Sequence, residues 1–575
     1  MRLAHLPLAL VSLGTVALCA CGPRSDQPPA PAASETSAAD PAATTGTHAF
    51  SAAINAVDFA EHVQQLSSDA FGGRAPGTPG EDKSIEYIKA QFARIGLQPG
   101  NGSDWFQTVP MVETTANEAT SLKFAVAGAA QELKFGTDMV IGTRTGQAKV
   151  SIKDSPLVFV GYGVDAPEQK WNDYAGVDVK GKTVVMLVND PGFHAGDAKL
   201  FDGKRMTWYG RWIYKFEEAA RKGAAAALII HDTPGASYGW DVVKNSWSGP
   251  QYDLPAKDDA APRVPAQGWI TGEAAQALFK ASGQDLDKLR AAANKPGFKA
   301  VPLDAKVTLD LESTTVEKTS RNVIGLLPGS ASPDEALVYM AHWDHLGTHE
   351  GETGDNIYNG AVDNATGVAG ILEIAEAMRK APTPPKRSVL FLAVTLEESG
   401  LLGSKYYVAH PVAPLDKTVA VINLDALAPV GLARDMTVVG KGSSQLEDLL
   451  KGVLDTQKRR PVSETNTAAG YYFRSDHFNF AKAGVPALYV DSGTDLLEGG
   501  LTGGDAAGKD YTDNRYHKPG DQFDAKTWKL DGIIQDLETV SAVGLALAND
   551  GKWPNWYEGN PFKAARDRMR PSSTP

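Results

Sequence analysis

Apolar positions first gather in a short run from Leu6 to Ala20, behind Arg2. The run is too short to span a bilayer and has the form of a signal peptide. From Pro23 to Thr47 the chain is rich in Pro, Ala, Ser and Thr, which cannot bury a core and reads as a tether. Helical periodicity starts at Thr78-Pro79-Gly80-Glu81, a capping box with proline at the first helical position. Ile85, Ile88, Phe92 and Ile95 then form the stripe of an amphipathic helix, which Gly96 and Pro99 stop.

Between 113 and 301 the pattern changes to short apolar strands broken by Gly and Pro. Leu157–Val160, Val184–Val188 and Ala226–Ile230 are the expected strands, with a helical stretch from Trp212 to Lys222. The two histidines of this segment, His194 and His231, have no metal-ligand spacing, so it reads as an inserted, non-catalytic β-rich domain. From 302 to 560 strands alternate with helices. The expected strands are Leu337–Ala341, Ser388–Val394, Val419–Leu424, Met436–Val439 and Ala487–Val490, and the helices Thr366–Arg379, Ser444–Asp455 and Leu530–Ala548. This alternation predicts a doubly wound α/β sheet. The expected organisation is a signal peptide at 1–21, a disordered tether at 22–48, an N-terminal part of the catalytic domain at 49–112, the insert at 113–301, the catalytic domain at 302–560 and a flexible, basic tail at 561–575.

Composition narrows the chemistry. The chain has 575 residues and a net charge of −13, which argues against nucleic-acid binding. Its 2 cysteines, Cys19 and Cys21, both lie in the leader, so a metal in the body must be held by His, Asp and Glu. Leu18-Cys19-Ala20-Cys21-Gly22 resembles a bacterial lipoprotein cleavage box, which would leave Cys21 as a lipidated N-terminus. Gly22 is not the aspartate of inner-membrane retention, so the expected location is the cell envelope, anchored in the outer membrane and facing periplasm or surface. A plain secretory signal is the other reading.

Ligands in open α/β sheets bind outside the carboxyl ends of the strands. Here those ends carry metal-ligand residues repeatedly: His342-Trp343-Asp344-His345 after one strand, Glu397-Glu398 after the next, and Asp425 after the third. Asp363, before the helix at Thr366, and His517 lie on loops. Two His, two Asp and one Glu suit two zinc ions if one carboxylate bridges. The Glu397-Glu398 pair can supply a ligand and a general base from adjacent positions. Asp344 can orient the His342 imidazole from behind.

Thr395-Leu396-Glu397-Glu398-Ser399-Gly400-Leu401-Leu402-Gly403-Ser404 resembles the signature of the co-catalytic dizinc aminopeptidases, a family that includes glutamate carboxypeptidases and glutaminyl cyclases. The other stations follow in order: His342-Trp343-Asp344, Gly360 to Gly367, Ile422 to Asp425, Ser475 to Phe478, and Tyr516-His517. Leu66 to Asp69, Gly73-Arg74 and Pro76 to Gly80 resemble the start of the family's catalytic region. The resemblance implies a three-layer sandwich on a mostly parallel mixed sheet, of the zinc exopeptidase type, with a protease-associated domain as the insert. It implies two zinc ions, His342 and Asp425 on one, Glu398 and His517 on the other, and Asp363 bridging. It also implies Glu397 as general base, Tyr516 as a donor to the developing oxyanion, and a cis peptide at Asp363-Asn364.

Arg474 and Asp476 are candidate substrate-pocket residues, with a structural salt bridge as the rival. His345 and His349 read as solvent-exposed, and Asp505, Asp510, Asp513 and Asp521 as a solvated acidic loop, with a calcium site as the rival. Gly235-Ala236-Ser237-Tyr238-Gly239 matches a nucleophile elbow, but Trp240 to Pro255 lacks a helix pattern, so a serine hydrolase is rejected. The expected function is an exopeptidase acting on peptides, an aminopeptidase first. A carboxypeptidase or dipeptidase and a non-catalytic binding relative are the alternatives. The sequence does not indicate an oligomeric state.

Overall fold

The computed structural model describes residues 48–126, 129–349, 351 and 353–570. The signal peptide, Cys21 and the tether up to residue 47 lie outside the described residues, as does 571–575. The architecture below concerns the body from Phe50 onward.

Strand Ser332–His342 lies at the centre of the catalytic sheet, parallel to Arg387–Val394 on one side and Thr418–Leu424 on the other. Ala487–Asp491 extends the parallel set, and Asp435–Val438 pairs antiparallel beyond it, itself parallel to Arg460–Ser463. On the opposite flank, Val301–Leu327 runs antiparallel to Arg387–Val394, and Phe106–Ala116 pairs with it in turn. The sheet is mixed and mostly parallel across its core, as the alternating pattern predicts. Leu337, Tyr339 and Ala341 point into one apolar cluster with the helices Thr366–Lys380 and Asp531–Asn549. Val338 and Met340 point into another, under the helices Leu402–Ala409 and His477–Lys482. Burial on both faces is why these strands read as unbroken apolar runs.

The helix Pro79–Ile95 forms as its pattern predicts. Thr78 caps it by accepting from the Gly80 N–H, Gly96 closes it at φ +88°, and its apolar stripe joins the cluster of Leu337. A second N-terminal helix, Ala56–Leu66, packs into the same cluster.

A second sheet is built by residues of the insert. Its order is Ala129–Lys134, Ser121–Val126, the first half of Val301–Leu327, Lys149–Phe159, Thr183–Leu187, Ala226–Ile230, Ala266–Ile270 and Met139–Gly142. Val301–Leu327 therefore belongs to both sheets: its first half pairs within the insert and its second half within the catalytic sheet.

Three expectations are corrected. The acidic segment carrying Asp505, Asp510 and Asp513 is not a loop but the helix Gly500–Asn514. Gly504 is needed in it, because a Cβ would sit 2.1 Å from the Thr494 carbonyl oxygen. The basic tail is ordered as the helix Lys563–Met569, anchored by buried Arg566, which donates to the carbonyls of Thr418 and Val419 at 3.0 Å each. A helix, Trp240–Trp247, does follow Gly235-Ala236-Ser237. Ser237 nonetheless donates to the Ala468 carbonyl rather than to an imidazole. Among the described residues no helix is long and apolar enough to cross a membrane.

Candidate metal centre

The strand ends deliver their side chains to one point. His342, the last residue of its strand, places Nε2 3.2 Å from Asp363 Oδ1 and 3.2 Å from Asp425 Oδ1. His517 Nε2 lies 3.3 Å from Asp363 Oδ2 and 3.2 Å from Glu398 Oε2. Asp363 thus stands between the two histidines, one oxygen toward each. All five residues that the sequence singled out as ligands meet here.

The surroundings hold these donors in place. Asp521 accepts the N–H of Val362 on Oδ1 and of Asp363 on Oδ2, each at 3.0 Å. Its exposure is 0%, which corrects the expectation that it is solvated. Ser475 Oγ donates to Asp425 Oδ2 at 2.5 Å and accepts from Asn423 Nδ2 at 2.7 Å. The peptide Asp363-Asn364 is cis, as the resemblance implied. Asn364 Oδ1 accepts from Gly367 and Ala426 N–H, tying this turn to the neighbouring strand end. Gly360 takes φ +54°, where a Cβ would lie 2.3 Å from the Asp363 carbonyl and 2.5 Å from His345 Cγ, so only glycine fits. Buried Arg74 clamps the whole loop: it donates to the carbonyls of Leu66, Trp343, Asn359 and Gly360.

Asp344 is fully buried, and its carboxylate accepts from the backbone of Glu397 at 3.2 Å and of Glu398 at 3.4 Å. The His342 Nδ1 lies nearer the Asp344 carbonyl, at 3.1 Å, than its carboxylate, at 3.8 Å. The carboxylate therefore braces the Glu397-Glu398 turn, and the main chain orients the imidazole. His345 is a further correction. It is buried rather than exposed, and its Nδ1 lies 2.6 Å from Glu398 Oε1. It also forms, with Asp363 and Glu398, a second group of converging donors beside that of His342, Asp363 and Asp425. The HxxH spacing in His342-Trp343-Asp344-His345 was the available signal. His349 is exposed.

Electrostatics follow from the crowding. Burial drives the Glu397 carboxyl well above its usual range, and the carboxylates of Glu398, Asp425 and Asp476 add to this against the pull of His342. Burial likewise raises Asp344 to about 8. At Asp363 burial acts upward too, but the hydrogen bonds from His342 and His517 outweigh it and hold the group well below its usual range. So many buried carboxylates around two imidazoles form a site made for cations. The donors are nitrogen and oxygen only, two imidazoles and three carboxylates, a set that fits zinc.

Tyr516 lies beside the centre, its ring stacked on His517 at 3.9 Å. Asp476 is fully buried and accepts from Ser404 Oγ at 2.5 Å, so it braces the helix Leu402–Ala409. Arg474 forms no salt bridge among the described residues; its guanidinium lies over the Tyr238 and Tyr471 rings.

A sequence profile of Peptidase family M28 matches residues 322–540. The aminopeptidase NAALADL1 of Mus musculus is 28% identical over 163 residues, which cover 27% of this chain and 20% of that protein. The chain thus spans about a fifth of that relative's length. A probable leucine aminopeptidase 2 of Aspergillus oryzae is 25% identical over 514 residues, 86% of this chain and 85% of that one. Among solved structures, the aminopeptidase of Aneurinibacillus sp. strain AM-1 superposes with a TM-score of 0.50 at 21% identity, covering 87% of this chain and 95% of that chain. At this identity the likeness concerns the fold.

Proposed function

We propose, from the match of residues 322–540 to the M28 peptidase family and from the metal centre, that this chain is a zinc aminopeptidase that removes N-terminal residues from peptides. The observation that carries the reading is Asp363 standing between His342 and His517, with Asp425 and Glu398 completing the two sides. We assign His342 and Asp425 to one zinc, His517 and Glu398 to a second, and Asp363 to both. Zinc, when bound, polarises the scissile carbonyl and makes water more acidic.

The protein's own residues do the proton work. Glu397 is set beside the ligands by the brace from Asp344 to its backbone. Its carboxyl is raised by burial and by neighbouring carboxylates, the environment of a group that takes a proton readily. Glu397 removes a proton from the attacking water and returns it to the leaving amine. Tyr516, stacked on His517, donates from its hydroxyl to the oxygen that gains charge in the transition state. The segment 113–301 acts as a protease-associated domain at the edge of the site. Cys21 carries a lipid anchor that tethers the enzyme to the cell envelope.

Matched peptides test the reading: one free at both ends, one acetylated at the amino end, and one amidated at the carboxyl end. They are incubated with the purified, zinc-loaded protein and followed by mass spectrometry. Stepwise loss from the free amino end, stopped by acetylation and by a chelator, is the expected result. Cleavage that continues at equal rate on the acetylated peptide would overturn it.

A further inference from the structure

Three carboxylates face the two imidazoles of the metal centre, and two of them are held alike. Asp425 turns Oδ1 to His342 Nε2 at 3.2 Å and gives Oδ2 to the Ser475 hydroxyl at 2.5 Å. Glu398 turns Oε2 to His517 Nε2 at 3.2 Å and gives Oε1 to His345 Nδ1 at 2.6 Å. Asp363 differs, with one oxygen toward each imidazole. The two flanking carboxylates thus each point one oxygen at a histidine and have the other engaged from behind. Ser475 does this for Asp425. His345, which is none of the five assigned ligands, does it for Glu398.

The surroundings of His345 aim its ring. The residue is 1% exposed, and its backbone N–H donates to the Arg74 carbonyl at 3.3 Å. The ring lies against Gly360, where a Cβ would come within 2.6 Å of Cδ2, and edge-on to the His517 ring at 5.8 Å. A carboxylate oxygen only accepts, so Nδ1 carries the hydrogen and donates to Glu398. Nε2 is then the acceptor nitrogen of the ring, and it has no hydrogen-bond partner among the described residues. The one side-chain hydrogen bond that the ring makes there goes to Glu398. Glu398 has one more rotatable bond than Asp425, so its carboxylate sweeps a wider arc unless a second contact stops it. A carboxylate that is free to turn can bind a metal through both oxygens and fill the position that a hydrolytic zinc keeps open.

We propose that His345 is a positioning residue, whose Nδ1–H holds Glu398 to one oxygen on the second metal and so keeps a coordination position free for water and substrate. The inference rests on the two-zinc reading above and concerns one of its two positions.

The test uses the full-length protein, zinc alone as the probe, and three variants. His345→Leu removes the donor and keeps an apolar side chain. His345→Asn keeps a donor at the place of Nδ1, and His345→Gln moves it to the place of Nε2. Equilibrium dialysis against a chelator series reads zinc affinity. The His342→Ala and His517→Ala backgrounds isolate the second and the first position, and melting curves check the fold. His345→Leu should weaken the second position about 10–100-fold and leave the first unchanged. His345→Asn should recover most of that loss and His345→Gln little of it. With cobalt(II) in place of zinc, the visible band should weaken in His345→Leu, because a two-oxygen Glu398 raises the coordination number, and return in His345→Asn. Equal losses in His345→Leu and His345→Asn, equal weakening of both positions, or an unchanged cobalt band overturns the brace. Two zinc ions in the wild type with unaltered affinity in His345→Leu overturns the brace alone, whereas a wild type that binds no zinc overturns the metal reading with it.

Discussion

Asp521 Oδ2 receives the backbone N–H of Asp363 at 3.0 Å, although 158 positions separate them in the chain. The carboxylate sits behind the bridging position and fixes its main chain from a loop next to His517. Residues in this supporting position typically change metal affinity or activity 10–100-fold when removed. Asp521→Ala should therefore lower zinc affinity by about 10–100-fold, read by equilibrium dialysis against a chelator series. Unchanged retention in a folded variant would mean that the metals fix Asp363 without help.

Glu397 is assigned proton transfer and no metal. Glu397→Gln should lower kcat by roughly 10²–10⁴-fold. Zinc content by elemental analysis should stay at the wild-type value. Loss of zinc along with activity would move Glu397 into the ligand set.

Metal removal separates the two assigned positions. Elemental analysis of the loaded protein should give two zinc ions per chain, and His342→Ala and His517→Ala should each retain one. A single zinc in the wild type, lost completely in either variant, would reduce the centre to one metal.

Arg74 ties four buried carbonyls together. Arg74→Leu strands them, and a buried network broken from one side costs about 3–5 kcal/mol. Urea unfolding should show the loss as a lower midpoint. A change under about 1 kcal/mol would mean that the loop is held by other contacts.

His477 is fully buried, and burial pulls its imidazole down to about 3. A histidine lowered by folding prefers to be neutral in the native state. Its contribution is full above the unfolded value near 6.5 and drains away as pH falls toward about 3. Stability should fall between pH 6.5 and 4, and His477→Phe should lose less over that window. Parallel pH profiles from thermal melts would contradict this.

The catalytic core was legible because its strands are buried on both faces and its ligands lie at their ends. Leu337–Ala341 is a short unbroken apolar run ending at His342, with the helix at Thr366 after it, the pattern of a buried parallel strand. What escaped notice was decided by distant partners. Asp521 looks like one more surface acid until Val362 and Asp363 are brought to it. Arg566 reads as tail charge until the carbonyls of Thr418 and Val419 meet it. Gly500–Asn514 carries the composition of a loop, and the close approach of Gly504 to Thr494 supplies what propensity lacks. His345 stood beside the ligands in sequence, but its direction depends on Glu398.

The strand Val301–Leu327 also sets an order of events. Phe106–Ala116 pairs along its whole length with Ser313–Val323, roughly 200 residues later, and over Val112–Thr115 also with Pro250–Asp253. A nascent chain must therefore release the whole intervening segment before this flank of the catalytic sheet can close. The intervening residues gather into a sheet of their own, which shortens the loop that remains to be closed. The inserted segment is in this sense a spacer with a sheet of its own, which delivers the second half of the strand to the first half of the enzyme.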